Sequence, residues 1–162
     1  MVLNYSTAEN AVKEIKSGQR VFVHGSASTP RSLLRALFSR SGELKNVELV
    51  SITTLGDDLF NRPDFGTSFF MNSLFVSQNV REIVNGVNGD YIPVFLSEIP
   101  ILFDKGILTL DVALIHVSEP DKHGFCSMGT SVDIARSAVK NAKHIIAQVN
   151  RQMPRTHGDG II

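Results

Sequence analysis

Short apolar runs alternate with stretches of helical periodicity along most of the chain, and this alternation is the feature that most constrains the fold. The runs at 21–24, 47–52, 112–116 and 145–149 are almost continuously apolar. Strands of this kind are buried on both faces, which is typical of parallel sheets whose strands are joined by helices. The pattern therefore predicts an α/β fold: a mainly parallel sheet with helices on both faces.

Local signals predict where several elements begin. Ser6 and Glu9 have the spacing of a capping box, which predicts that Ser6 caps the first helix. Thr29 precedes a proline, so we expect Thr29 to cap the second helix. The segment 91–95 is expected to be an edge strand, because Pro93 cannot donate to a central ladder. No regular element is assigned between Thr53 and Gln78, although this stretch contains apolar runs at 69–71 and 74–76.

Composition excludes several classes of protein. The chain has 162 residues, the size of one domain, and its 16 basic and 16 acidic side chains give zero net charge. A general nucleic-acid-binding protein would need an excess of basic residues, so we do not expect this chain to bind nucleic acid. The single cysteine, Cys126, excludes an internal disulfide and fits a reducing compartment. The sequence contains no apolar run of about 18 residues and no signal peptide, so we predict a cytoplasmic protein without membrane contact.

Phenylalanine is concentrated in one part of the sequence. Five of the ten phenylalanines lie between Phe60 and Phe75. The simpler interpretation is that they belong to the hydrophobic core. The alternative is an exposed apolar face that contacts another domain or subunit.

Three segments are candidates for a ligand site, because open α/β sheets bind ligands beyond the carboxyl ends of their strands. These segments are 24–30, 116–129 and 150–160, and we expect His24, His116 and Val149 to end neighbouring strands. In the first segment, Gly25 and Ala27 would let a ligand approach backbone amides that can hold an anion. The alternative is a tight strand–helix connection with no ligand.

The second segment is dense in functional groups but completes no catalytic set. Glu119, Asp121 and His123 could perform acid–base chemistry, and His123 with Cys126 could bind a metal. A zinc site needs four ligands with recognisable spacing, and a nucleophilic cysteine needs a histidine partner that the sequence does not place. We therefore predict no metal site, and a polar loop with one buried cysteine remains the simplest interpretation.

Four strings occur together in a specific order. They are VFVHGSASTP at 21–30, DYIPVFLSEIP at 90–100, DKHGFCSMG at 121–129 and QMPRTHGD at 152–159. The chain thereby resembles the acetyl-CoA hydrolase/transferase family from about Asn10 to its last residue, with 4-hydroxybutyrate CoA-transferases as the nearest members. The resemblance implies the N-terminal half of a class I CoA-transferase-like fold, with residues 1–162 as one domain.

The resemblance also implies a function for a longer parent protein. CoA would pass from an acyl-CoA to a small carboxylate of the 4-hydroxybutyrate or acetate type, through a glutamyl-CoA thioester. The glutamate would lie on a C-terminal catalytic half that is absent from this chain, so no catalytic residue is assigned here, and neither Glu98 nor Glu119 takes that role. Coenzyme A would be a substrate, with no tightly bound cofactor.

This chain would supply part of the wall of the substrate pocket, and its partners would be the C-terminal half and further copies in a homo-oligomer. The wall residues implied by the resemblance are His24, Gly25, Ser26, Ala27, Thr29, His123, Gly124, Met128 and Gly129.

Three alternative functions stay open at this point. An acetyl-CoA hydrolase would resolve the same thioester with water instead of a carboxylate. A non-catalytic α/β domain would bind a partner protein or a small anion. A sugar-phosphate isomerase of related fold would need a phosphate cradle beside an acid–base carboxylate, and the sequence identifies no such pair.

Overall fold

A six-stranded sheet forms the centre of the molecule. The computed structural model describes residues 5–162, with residues 57 and 58 described in their backbone only. Every pairing between neighbouring strands is parallel. The strands are β1 (Arg20–Val23), β2 (Val47–Ser51), β3 (Phe69–Ser73), β4 (Gly89–Tyr91), β5 (Leu110–Ser118) and β6 (Ala142–Asn150).

The strand order is β4-β3-β2-β1-β5-β6. The chain starts in the middle of the sheet, builds outward to β4, and then crosses back to place β5 beside β1. Such a reversal leaves a crevice at the carboxyl ends of the two strands that flank it. His24 directly follows β1, and His116 and Val149 lie near the ends of β5 and β6. These three strands are neighbours in the sheet, as the sequence predicted.

Helices cover both faces of this sheet. The α-helices are α1 (Ala8–Ala11), α2 (Arg31–Phe38), α3 (Asp57–Phe60), α4 (Arg81–Val84), α5 (Ile99–Asp104) and α6 (Ala135–Asn141). Short 3-10 helices lie at Val12–Glu14, Ser26–Ser28, Phe65–Thr67, Gln78–Val80 and Gly158–Gly160.

Two hydrophobic cores lie on opposite faces. Val21 and Val23 of β1 pack into the core that contains α2, whereas Phe22 packs into the core that contains Phe103 of α5. Alternate residues of one strand therefore enter different cores, which explains why the strand is apolar throughout. The predicted α/β fold class is confirmed.

Both predicted helix caps are wrong. The first helix begins one residue later than expected, because the Thr7 hydroxyl, not that of Ser6, accepts from the Asn10 amide at 3.3 Å. At the second helix, Thr29 Oγ1 donates to Ser26 O at 2.8 Å and accepts from the Leu55 amide at 3.0 Å. Thr29 thus joins the turn after β1 to the loop after β2 and is not available to α2.

The edge strand near residue 91 lies slightly earlier than predicted. The strand β4 pairs with β3 through Gly89–Tyr91, and the amide of Ile92 makes a further bond to Ser73 O at 3.0 Å. Pairing stops there because the next residue, Pro93, has no amide hydrogen. The strand lies at the edge of the sheet, as expected.

The phenylalanine cluster is largely internal. Phe60, Phe65 and Phe69 are buried and pack around Phe38, with ring centroids 5.1–5.7 Å from that ring. Of the five phenylalanines between Phe60 and Phe75, Phe70 is half-buried and Phe75 is strongly exposed, at 61% of its surface. The core interpretation is confirmed for the first three rings, and the expectation of an exposed face holds only for Phe75.

Candidate functional site

The site begins with His24, directly after β1. Its side chain is fully buried, Nδ1 accepts from the backbone amide of His116 at 3.2 Å, and Nε2 lies 2.5 Å from Ser131 O. Because Nδ1 accepts, the proton lies on Nε2 and is donated to Ser131. Burial lowers the pKa of His24, so the ring is neutral at neutral pH. His24 therefore ties β1 to β5 and to the segment before α6.

The turn that follows packs tightly against the loop after β2. A Cβ on Gly25 would lie 2.7 Å from Ile52 Cγ1 and 2.9 Å from Thr53 O, so no side chain fits there. Ser26 has a φ of +50° and its amide donates to Thr53 O at 2.7 Å. A non-glycine residue in this conformation costs about 1–2 kcal/mol, and such strain is concentrated at functional sites. Ala27 is the exposed tip of the turn.

The loop after β5 is held by one carboxylate. Asp121 Oδ1 accepts from the amides of His123 at 2.8 Å and Phe125 at 3.0 Å. Its other oxygen pairs with Arg155 Nη2 at 2.7 Å, and Arg155 also donates to Phe125 O at 3.2 Å. Residues that the sequence offers as acid–base groups thus shape the loop, and His123 and Phe125 are presented to solvent.

The turn and the loop meet, as the topology predicts. Ser28 Oγ donates to Met128 O at 3.2 Å, although the two residues are 100 positions apart. The next residue, Gly129, has a φ of +70°, and a Cβ there would lie 2.1 Å from Met153 Sδ. The segment after β6 therefore packs directly onto the end of the loop.

The last residues of the chain close this arrangement. Cys126 and Ile162 exchange two backbone hydrogen bonds of 2.9 Å, and the Met128 amide donates to Gly160 O at 2.7 Å. Arg136 of α6 donates to Asp159 O at 2.6 Å. The three segments that were expected to follow strand ends thus form one packed cluster at the carboxyl edge of the sheet.

The proposed wall residues differ in what they can touch. Ala27 and His123 are exposed, and Ser26 and Gly124 are half-buried. The remaining five, whose side chains or backbone positions are buried in this chain, are His24, Gly25, Thr29, Met128 and Gly129. The buried residues set the shape of the turn and the loop, whereas direct ligand contact by any of the nine stays a prediction.

Exposed apolar side chains surround the same edge, and sequence reasoning missed most of them. Leu55 follows β2, Phe75 follows β3, Phe95 follows β4 and Phe125 follows β5, and each exposes half or more of its surface. Each lies in the loop that leaves the carboxyl end of a strand, and this shared position is the signal that could have found them. An apolar rim of this kind is typical of a surface that contacts a ligand or another part of a protein.

Other candidate chemistries receive no support. Burial raises the pKa of the Cys126 thiol, which disfavours the thiolate that a nucleophile needs. Glu119 is exposed and pairs with Arg151 at 3.2 Å. Residues 5–162 contain no group of three potential metal ligands, and within the same range no helix is long and apolar enough to cross a membrane.

Comparison with known proteins gives the family. The model of the acetyl-CoA hydrolase/transferase N-terminal domain matches residues 4–162. The chain belongs to the acetyl-CoA hydrolase/transferase family. The resemblance carried by the four sequence strings is thereby confirmed.

Three relatives illustrate the family. The succinyl-CoA:acetate/propanoyl-CoA:succinate CoA transferase of Fasciola hepatica is 48% identical over 91% of this chain and 31% of its own length. The 4-hydroxybutyrate coenzyme A transferase of Clostridium kluyveri is 40% identical over 96% of this chain and 36% of its own length. The crystal structure of a 4-hydroxybutyrate CoA-transferase from Porphyromonas gingivalis superposes with a TM-score of 0.78 at 26% identity, over 97% of this chain and 36% of that one. The domain thus spans about a third of the length of these relatives.

Proposed function

We propose that this chain is the N-terminal domain of a CoA-transferase that moves CoA from an acyl-CoA to a small carboxylate of the 4-hydroxybutyrate or acetate type. The observation that carries the proposal is the family match over residues 4–162. It is supported by the state of two candidate nucleophiles in this chain: Cys126 has a raised pKa and Glu119 is an exposed ion-pair partner.

The attacking group would be a glutamate on the C-terminal half of the parent protein. Its carboxylate attacks the thioester carbonyl and displaces CoA as a thiolate, which leaves an acyl–glutamyl anhydride. The thiolate then attacks the glutamyl carbonyl and releases the acyl group as a free carboxylate. The resulting glutamyl-CoA thioester transfers CoA to the acceptor by the reverse sequence.

The contribution of this chain is to shape and close the cleft. The Gly25–Thr29 turn and the His123–Gly129 loop are proposed as one wall of the pocket, with Ala27 and His123 as the residues that a substrate reaches first. A wall that excludes water protects a thioester from hydrolysis, and this protection separates a transferase from a hydrolase.

The setting of the parent protein is part of the same proposal. We place it in the cytoplasm, in keeping with one unpaired cysteine, and we propose a homo-oligomer in which the C-terminal half covers the apolar rim. Coenzyme A is a substrate that leaves after each turnover, and no resident cofactor is required by the chemistry.

The test is an assay of the purified parent protein with butyryl-CoA, in the presence and absence of acetate. Acetyl-CoA that forms only when acetate is present supports the transferase. Free CoA released at the same rate without acetate would assign a hydrolase instead. If neither product forms and the protein binds no acyl-CoA, the result would favour a non-catalytic α/β domain.

A further inference from the structure

The helix α2 obtains its N-terminal cap from a distant strand. Its own N-cap residue, Pro30, makes no side-chain hydrogen bond. Instead, Oε1 of Gln148 on β6 accepts from the amide of Ser32 at 3.0 Å and from that of Leu33 at 3.4 Å. These are two of the first-turn amides that a helix leaves without internal acceptors. Gln148 therefore fastens the start of α2 to the sheet.

The two amide donors also fix the direction of the Gln148 side chain. With Oε1 directed at α2, the NH₂ group faces Nε2 of His116, the residue opposite Gln148 on β5, at 3.4 Å. Nε2 of His116 must then accept, which places the proton of this ring on Nδ1. That atom is buried and has no hydrogen-bond partner within residues 5–162.

Protonation of His116 is incompatible with this arrangement. A protonated ring would direct an N–H from Nε2 against the NH₂ group of Gln148, so two donors would face each other. If the amide turned over to offer its oxygen to His116, its NH₂ group would face the amides of Ser32 and Leu33. The side chain cannot accept from His116 and cap α2 at the same time.

Burial and a neighbouring histidine favour the neutral form of the His116 ring. Burial, and then the nearby His24 on β1, lower the pKa of His116. Other titratable or charged groups on the packed elements include Lys143 and His144 on β6, Arg20 on β1, Asp111 on β5, Glu9 on α1, Glu14 after α1, and Arg31 and Arg35 on α2. His144 and Glu14 line a groove of about 540 Å³ beside Gln148. At neutral pH the cap is therefore complete.

We propose that Gln148 is a positioning residue that holds α2 and the preceding Gly25–Pro30 turn in place, and that protonation of His116 releases this hold. The turn leads directly into α2, so movement of the first helical turn displaces the proposed pocket wall. Only the link to turnover rests on the proposed function, because the hold itself is a property of the fold.

The experiment measures hydrogen–deuterium exchange of the peptide 31–38 in the full parent protein at pH 7.5 and 5.5, corrected for intrinsic exchange rates. In the wild type, protection of this peptide falls about three- to thirtyfold at pH 5.5, the range expected for loss of an N-cap. Gln148→Leu shows the same loss at both pH values. Gln148→Glu keeps full protection at both, because a carboxylate accepts from the two amides and from protonated His116.

The matched controls are Gln78→Leu and Gln78→Glu, which change an exposed glutamine that follows β3, far along the sheet from β6, and should leave exchange of 31–38 unchanged. Unchanged protection in the wild type at pH 5.5 would overturn the proposal, and so would a loss in Gln148→Glu equal to that of the wild type. In the transferase assay, the acidic fall of kcat/KM should move to lower pH in Gln148→Glu. If the parent transfers no CoA, the exchange data still decide the proposal, so the two failures are distinguishable.

Discussion

The Ser127 hydroxyl joins two of the segments that form the carboxyl edge, and its removal is the most informative single change. Ser127 is fully buried, and its Oγ accepts from the amides of Gly129 and Thr156, both at 3.0 Å. Thr156 Oγ1 donates to Gly129 O at 2.9 Å, so the Ser127 hydroxyl hydrogen points to Thr156 Oγ1, also at 2.9 Å. We predict that Ser127→Ala loosens both segments together.

The size of the effect follows from the groups left behind. Within residues 5–162, neither the Gly129 nor the Thr156 amide has a backbone acceptor, so both lose their partner when the hydroxyl is removed. A buried amide without an acceptor costs about 1–3 kcal/mol. With partial relaxation around the smaller side chain, we expect Ser127→Ala to lower the free energy of unfolding by about 2–4 kcal/mol.

The assay is urea unfolding of the purified protein, with the free energy of unfolding taken from the midpoint and the slope. The control is Ser97→Ala, which removes an exposed hydroxyl and should change the free energy of unfolding by less than about 0.5 kcal/mol. Exchange of the peptides 118–131 and 152–160 should rise together in Ser127→Ala. A loss of stability no larger than that of Ser97→Ala would show that the Ser127 hydroxyl does not hold the two segments together.

Three further predictions concern the same edge. The pKa of buried His24 is lowered, so as pH falls below about 6.5 the unfolded chain takes up protons first. The free energy of unfolding should therefore fall between about pH 6.5 and 5, with a shallower slope in His24→Gln, and an equal slope in that variant would contradict this role of His24. Ala27→Leu should reduce kcat/KM of the parent about tenfold by obstructing the cleft, with unfolding unchanged within about 0.5 kcal/mol; equal activity would contradict the pocket-wall assignment. Cys126, whose pKa is raised by burial, should react with iodoacetamide at pH 7.5 more slowly than free cysteine, and urea should remove the difference.

The sequence predicted those elements whose signal is local. The strands β1, β2 and β5 were found because both their faces are largely buried and their sequences are therefore mostly apolar. The strand β6 was found from its apolar run at 145–149, although it lies at the edge of the sheet and is mostly exposed. The strand β3 was missed because its apolar run of three residues ends at Asn72 and Ser73, and Phe70 and Asn72 lie on a face that is only half-buried. The 24–30 and 116–129 segments could be placed together because each follows a strand end, and open α/β sheets bring such segments together at one edge. The order of β1 and β5 in the sheet makes them neighbours there.

Features that depend on distant partners were not predictable. Thr29 has the ideal sequence context for a helix cap, yet the loop after β2 supplies a competing amide from Leu55. The actual cap of α2 comes from Gln148, which lies 116 residues away from Ser32. Asp121 resembles an acid–base group in sequence, but it is occupied by two amides of its own loop and by Arg155. Motifs identify such residues, and only the fold decides whether they serve structure or chemistry.

We propose that this domain forms a cleft wall and that the attacking carboxylate lies on the other half of the parent protein. The most direct test incubates the parent with acyl-CoA, reduces the trapped thioester with borohydride, and locates the modified residue by peptide mass spectrometry. We expect a reduced glutamate on the C-terminal half of the parent protein, and no reduced carboxylate within residues 1–162. Reduction of Glu98 or Glu119, or CoA transfer catalysed by the 162-residue chain alone, would contradict it.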